Sequence, residues 1–285
     1  MRLSPTVPSR LSGFSNRRQH TLGAIALCGL FLLGVMVSPW FLSDAGLNPI
    51  LALRNQPPSW SYPFGTDWLG RNMMVRSLQG LSLSLRVGLL AASVSAIIGT
   101  GLGVAAGSLG GWVDAVIIWI IDVFFSLPHL VLLILIAFAV GGGTRGVIIA
   151  VALTHWTSLA RVMRAEVLQL NGADYVQISR RLGRSPFWIA QHHLMPHLLP
   201  QLLVGLILLF PHAILHEAAL SFIGIGISPH LPAIGIILAE SMRHLSTGYW
   251  WLGVMPGLLL LLAVKAFDWL GENLRALLDP KTSQG

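Results

Sequence analysis

Runs of about 20 residues with almost no charge recur along this 285-residue chain, and a helix of that length crosses the ~30 Å hydrocarbon core of a bilayer. Such runs predict an all-α, polytopic membrane protein. Only 10% of the residues are charged, against roughly 25% in soluble domains, and the deficit is concentrated in these runs. The net charge of +7 does not argue for nucleic acid. No basic patch with interleaved aromatics occurs, and excess Lys and Arg is what cytoplasmic loops of membrane proteins carry. Cys28 is alone and lies inside an apolar run, so neither a disulfide nor a thiolate metal site is available. It reads as a small core residue.

Six spans are predicted. A polar tail, residues 1–20, precedes the first, residues 21–42, which is too long for a signal peptide and lacks a small-x-small cleavage site. It reads as a retained anchor. Residues 43–80, with Pro49, Pro57, Pro58 and Pro63, form an extracytoplasmic loop. The core, residues 81–271, holds the other five spans: 83–107, 113–140, 146–160, 198–223 and 249–270. Gly99, Gly103 and Gly107 leave one face of the second span bare, a signal for close helix packing. Asp122 and the pair Pro128-His129 interrupt the third. Residues 224–248 read as an external re-entrant or surface segment, and 272–285 as a second polar tail. With both termini cytoplasmic, Arg2, Arg10, Arg17, Arg18, Arg161, Arg164, Arg180, Arg181, Arg184, Arg275 and Lys281 lie inside. Arg54, Arg71, Arg76, Arg86, Arg145 and Arg243 lie outside, and eleven against six supports that orientation.

Between the fourth and fifth spans, within a cytoplasmic loop 161–197, sits a basic and polar island, Asn171 to Pro196. Asn171 is expected to cap a short helix, with Asp174 three residues on. Tyr175, Ile178, Ser179 and Leu182 then fall on one helix face. Arg180 and Arg181 occupy the last turn, where the helix dipole favours cations, and Gly183 ends it. Ser185-Pro186 reads as the cap and first residue of a second helix running to Pro196. A short amphipathic helix hung between spans has the form of a plug for a partner's groove; a solvated loop helix is the alternative.

The island resembles the EAA loop of ABC importer permeases. Gln177, Ile178 and Ser179 stand at the E-A-A positions, Gly183 at the following glycine, and His193-Leu194-Met195-Pro196 at the closing I-x-L-P. Pro63-Phe64-Gly65-Thr66-Asp67 with Gly70-Arg71 is similar to the PFGTD-x-x-GRD element of dipeptide, oligopeptide and nickel permeases. Ala219 to Gly226 is similar to their ALSFLGLG. Ala266 to Gly271, with Leu278-Asp279-Pro280, is similar to their AFNLLGD and LDP. The resemblance implies a type I ABC importer permease in a bacterial inner membrane. It implies pairing with a second homologous permease and two cytoplasmic ATPases, which bind ATP-Mg, and a supply of substrate from an extracytoplasmic binding protein. This chain would need no cofactor and catalyse no reaction, and no phosphate-cradling GxxxxGK[ST] occurs in it. The helix from Asp174 to Leu182 would be the coupling helix.

Nickel and peptides divide that family. Thr154-His155-Trp156 and His212-x3-His216 resemble the nickel branch, so nickel or a nickel chelate is the expected cargo, with di- or oligopeptides the alternative. His155, His212 and His216 are then transient metal ligands, since neutral imidazole suits nickel. Each is equally open to a packing role. Asp122, His129 and Glu217 are further candidates for the path, because ionisable groups within spans are costly, at ~2.5–3.5 kcal/mol on insertion scales; for Asp122 and Glu217 pairing with a neighbour is the alternative. Lys265 and Asp268, three apart, are read either as a pair or as side chains reaching the interface. His216-Glu217 begins H-E-x-x-H, but Leu220 stands at the fifth position and the metalloprotease motif fails. A channel or secondary carrier needs no ATPase and leaves the coupling helix without a task.

Overall fold

The computed structural model describes residues 14–278, so most of the N-terminal tail, and Asp279, Pro280 and Lys281, lie outside it. Helix α1 (Phe14–Phe41) begins within the predicted tail. Cys28, Leu32 and Val35 turn inward to the core against α2 and α10, while Leu27, Leu30 and Leu33 face outward and are exposed.

The loop that follows is organised by Asp67, whose side chain is fully buried. Its Oδ1 accepts from the backbone N–H of Leu69 and of Arg71, both at 2.9 Å. Its Oδ2 accepts from Arg71 Nε at 2.7 Å and Arg76 Nη1 at 3.2 Å. A buried carboxylate needs this many donors to offset lost hydration. Gly70, at φ 76°, lies so close to Ile50 that a Cβ would fall 1.9 Å from the Ile50 carbonyl oxygen. The P-F-G-T-D-x-x-G-R string is therefore a folding unit with a buried ion at its centre.

Helix α2 (Met73–Leu109) starts earlier than the predicted span because Asn72 caps it, accepting from Met74 N at 3.0 Å and Val75 N at 3.4 Å. Its 37 residues touch more of the bundle than any other element: α1, α3, α5, α8, α9 and α10. Helix α3 (Gly111–Ser126) and helix α4 (His129–Ala139) replace the single predicted third span, and the two meet at 100°. The cause is Pro128, which disfavours helical backbone at the residue before it; Leu127 is extended at φ −97°, ψ 143°.

Helix α5 (Gly143–Asn171) runs well past the predicted fourth span, to the polar island. It packs along α2 where the glycines are: a Cβ on Gly99 would lie 2.7 Å from the Trp156 carbonyl oxygen, and one on Gly103 2.6 Å from that of Ala160. Helix α6 (Asp174–Arg181) is the short island helix. Helix α7 (Pro186–Ile189) does not stop at Pro196 as predicted. It passes through a π turn over Ala190–Leu194 into helix α8 (Met195–Phe222), with Pro196 directly after the π turn. Helix α9 (Ile234–Met242) lies in the predicted external segment, and helix α10 (Trp251–Leu278) ends the described chain beyond the predicted sixth span. Among the described residues five helices are long and apolar enough to cross a membrane, or six if the bent pair α3–α4 is one span. Among the described residues no strand forms beyond one isolated bridge between Thr66 and Asn72.

Candidate functional site

Two regions carry the chemistry: a cavity inside the bundle, and the island between α5 and α8. The cavity, about 560 Å3, is walled by α3, α4, α5, α8 and α10. Phe124, Phe125 and Leu127 give it an apolar side, and His129, His155, His212, His216 and Arg275 a basic one; among the described residues no carboxylate lines it.

The bend at Pro128 swings His129, first residue of α4, toward α5 and α8. There three imidazoles meet with ring centroids 4.8–4.9 Å apart: His129, His155 and His216. His155 Nε2 lies 3.0 Å from His216 Nδ1. His155 Nδ1 lies 3.1 Å from the Val151 carbonyl oxygen and 3.0 Å from Thr154 Oγ1. Because a carbonyl only accepts, Nδ1 carries the proton, Nε2 presents a lone pair, and His216 Nδ1–H donates to it. One nitrogen from each of the three rings falls within 4.8 Å of the others, a grouping able to hold a metal ion.

The expected ligand set was His155, His212 and His216. His212 lines the same cavity but stays out of the cluster, its Nδ1 on the Leu208 carbonyl oxygen at 3.2 Å, and His129 takes the third place. Asp122 is outside the cavity; it pairs with Arg161 Nη2 at 2.5 Å, with both side chains exposed. A second pair of the same kind, Asp114 with Arg164, ties α3 to α5. Glu217 also turns away, fully buried, accepting from Ser221 Oγ at 2.7 Å. Lys265 and Asp268 pair at 3.5 Å. The spacing missed Gln201 and Arg275. Gln201 could have been found, since Gln201, Leu208 and His212 share one face of α8. Arg275 could not, because it lies beyond the predicted end of the sixth span.

On the island, Asn171 does not cap α6. It ends α5, and α6 starts after Ala173 with no side-chain cap. Asn171 instead works as a joint. Its Nδ2 donates to the Gly107 carbonyl oxygen at 2.9 Å, its own carbonyl accepts from Gln177 Nε2 at 2.8 Å, and its Oδ1 accepts from Arg180 Nη2 at 3.2 Å. Arg180 and Arg181 do occupy the last turn, and Gly183, at φ 79°, ends the helix. Val176 is the fully buried anchor, packed with Ile189 and Leu194. The Tyr175, Ile178, Ser179, Leu182 face is split. Ser179 shares a 2.8 Å hydrogen bond with His193, while Tyr175, Ile178 and Leu182 are 40%, 57% and 76% exposed. Asp174 and Arg181 are exposed beside them. His193 and His197 close on the Tyr175 ring, and His192 stacks on Trp188.

Residues 99–283 match the family described as "Binding-protein-dependent transport system inner membrane component". The chain belongs to that family. The permease is 34% identical, over 90% of its length and 82% of the relative's, to a dipeptide transport system permease of Bacillus subtilis (strain 168). It is 35% identical, over 93% of its length and 88% of the relative's, to a putative peptide transport system permease of Brucella suis. A probable D,D-dipeptide transport system permease of Escherichia coli K12 shares 33% identity over 92% of the permease and 87% of that chain. In fold it resembles the inward-facing MetNI methionine ABC transporter, with a TM-score of 0.58 at 22% identity, covering 73% of the permease and 98% of that chain. It is thus a membrane subunit of an ABC importer with the type I permease fold, and no enzyme: ATP hydrolysis belongs to separate subunits.

Proposed function

We propose that this permease imports di- or oligopeptides across a bacterial inner membrane, with both termini on the cytoplasmic side. The observation that carries the reading is the set of relatives aligned over nine-tenths of the chain, each a peptide permease by name. A cavity of about 560 Å3 supports it, being in the size range of small-molecule sites and wider than a bare ion needs. The nickel expectation rested on His155, His212 and His216 and has no such support among these relatives.

The partners follow from the reading: a second homologous permease, two ATPases that bind ATP-Mg, and an extracytoplasmic binding protein. Tyr175, Ile178 and Leu182 form the apolar knob that seats in an ATPase groove, with Arg180 and Arg181 beside it. Asp174, Gln177, Ser179 and Gly183 set its shape, and Pro196 leads the chain back into α8. When ATP draws the ATPases together, the seated helices move with them, and the spans exchange inward for outward access as rigid bodies. A ligand shifts that equilibrium only through its differential affinity for the two states, so ATP has to bind the closed one better.

The experiment is uptake, in cells carrying the whole importer, of a radiolabelled dipeptide and of labelled nickel, each with and without the other in excess. Peptide accumulation against a gradient that unlabelled peptide suppresses and excess nickel does not supports the reading. Accumulation of nickel with no peptide uptake overturns it.

A further inference from the structure

We propose that His129, His155 and His216 form a coordination site for a divalent late first-row metal ion in the wall of the cavity. Three helices deliver the rings, so their meeting is a feature of the fold and not of local sequence. One nitrogen of each lies within 4.8 Å of the other two. The 3.0 Å between His155 Nε2 and His216 Nδ1 is close to the separation of two ligands that sit ~2.0–2.1 Å from one ion at a near-right or tetrahedral angle.

The surroundings are those of a ligand set. The Nδ1–H of His155 is held by the Val151 carbonyl oxygen and lies beside Thr154 Oγ1, which fixes the ring and leaves Nε2 as the donor atom. A carbonyl holding the far nitrogen is the usual support of a metal-bound histidine. Neutral imidazoles suit nickel, copper, zinc and cobalt, whereas calcium and magnesium prefer oxygen donors. Three protein ligands facing an open cavity leave a position for water or for a donor atom of the cargo. No carboxylate lines the cavity among the described residues, so the ion's charge is not neutralised by a side chain there. To ligate through Nδ1, His216 passes its ring proton to Nε2; no redox change and no proton release accompany it. Where cargo is concerned, the site rests on the peptide-importer reading: a peptide carrying a divalent ion with an open coordination position would be caught here.

Cobalt(II) titration of the full-length permease in detergent tests the site without any transport step. We expect one equivalent to give ligand-field absorption. His129→Ala and His155→Ala should each weaken it by at least about tenfold, and Thr154→Val by roughly tenfold through loss of the positioning contact. His230→Ala, in an exposed loop, should leave it unchanged. Equal affinity in the His129→Ala and His155→Ala proteins overturns the proposal. X-ray absorption at the cobalt edge needs no variant: three imidazole nitrogens are expected, and one or none overturns it as well. Peptide uptake is measured separately, so a failure there does not touch the metal result, nor the reverse.

Discussion

Gly103 shows how little room the bundle leaves. A Cβ there would lie 2.6 Å from the Ala160 carbonyl oxygen and 2.7 Å from Met163 Cβ, so Gly103→Ala forces α2 and α5 apart. We expect a loss of about 1–3 kcal/mol, seen as a lower thermal midpoint in detergent. Gly101→Ala meets nothing within 4 Å and should be silent or stabilising by up to ~1 kcal/mol, because alanine is the better helix former. Asp67 makes the opposite case, where the whole side chain is used. Asp67→Asn places an NH2 group against the guanidinium groups of Arg71 and Arg76, both of them donors only. A cost of about 3–5 kcal/mol is expected, as for other broken buried pairs, read as protease sensitivity of residues 43–72. The four-residue spacing of glycines announced the first of these sites. The resemblance to PFGTD-x-x-GRD singled out Asp67, but not its burial, because the donors to Asp67 depend on how the loop folds back.

At the scale of elements, α6 separates its anchor from its exposed face. Ile178→Asp and Leu182→Asp alter side chains that are mostly exposed, so the fold should survive while retention of the ATPase on co-purification falls by about tenfold or more, the effect of removing a central apolar anchor. Val176→Asp buries a charge and should unfold the island itself, losing the ATPase and the detergent-stable fold together. Equal retention in the Ile178→Asp, Leu182→Asp and unaltered proteins would rule out α6 as the seat. The existence and the C-terminal end of this helix were legible, since Arg180, Arg181 and Gly183 end it by local rules. The role of Asn171 was not. An asparagine before a helical run satisfies the rule for an N-cap, but α5 reaches it first and turns its side chain toward Gly107. Tertiary reach overrode a local preference. The third span teaches the same lesson in reverse: Pro128 declared the break, yet the 100° turn that brings His129 to His155 depends on what α4 packs against.

For the molecule as a whole, the apolar runs announced an all-helical bundle with five or six long apolar helices, but not which helices are neighbours. Helix α2 is the case that matters. At about 1.5 Å per residue its 37 residues make a rod of about 55 Å, well beyond the ~30 Å hydrocarbon core. Spin labels at Met74 and Leu109, in a Cys28→Ala background, should report one separation of about 50 Å, the same in the nucleotide-free and nucleotide-bound importer. A second population of distances would show that α2 bends.

Near its N-terminus this rod is pinned: Arg76 grips both Asp67 and Glu240 of α9. Near its C-terminus the Gly107 carbonyl oxygen takes the amide of Asn171, the residue from which α6 hangs. A strut fastened at both ends cannot be displaced at one without levering the other. A push on the loop of residues 43–72 and a push on α6 thus act on the two ends of the same helix.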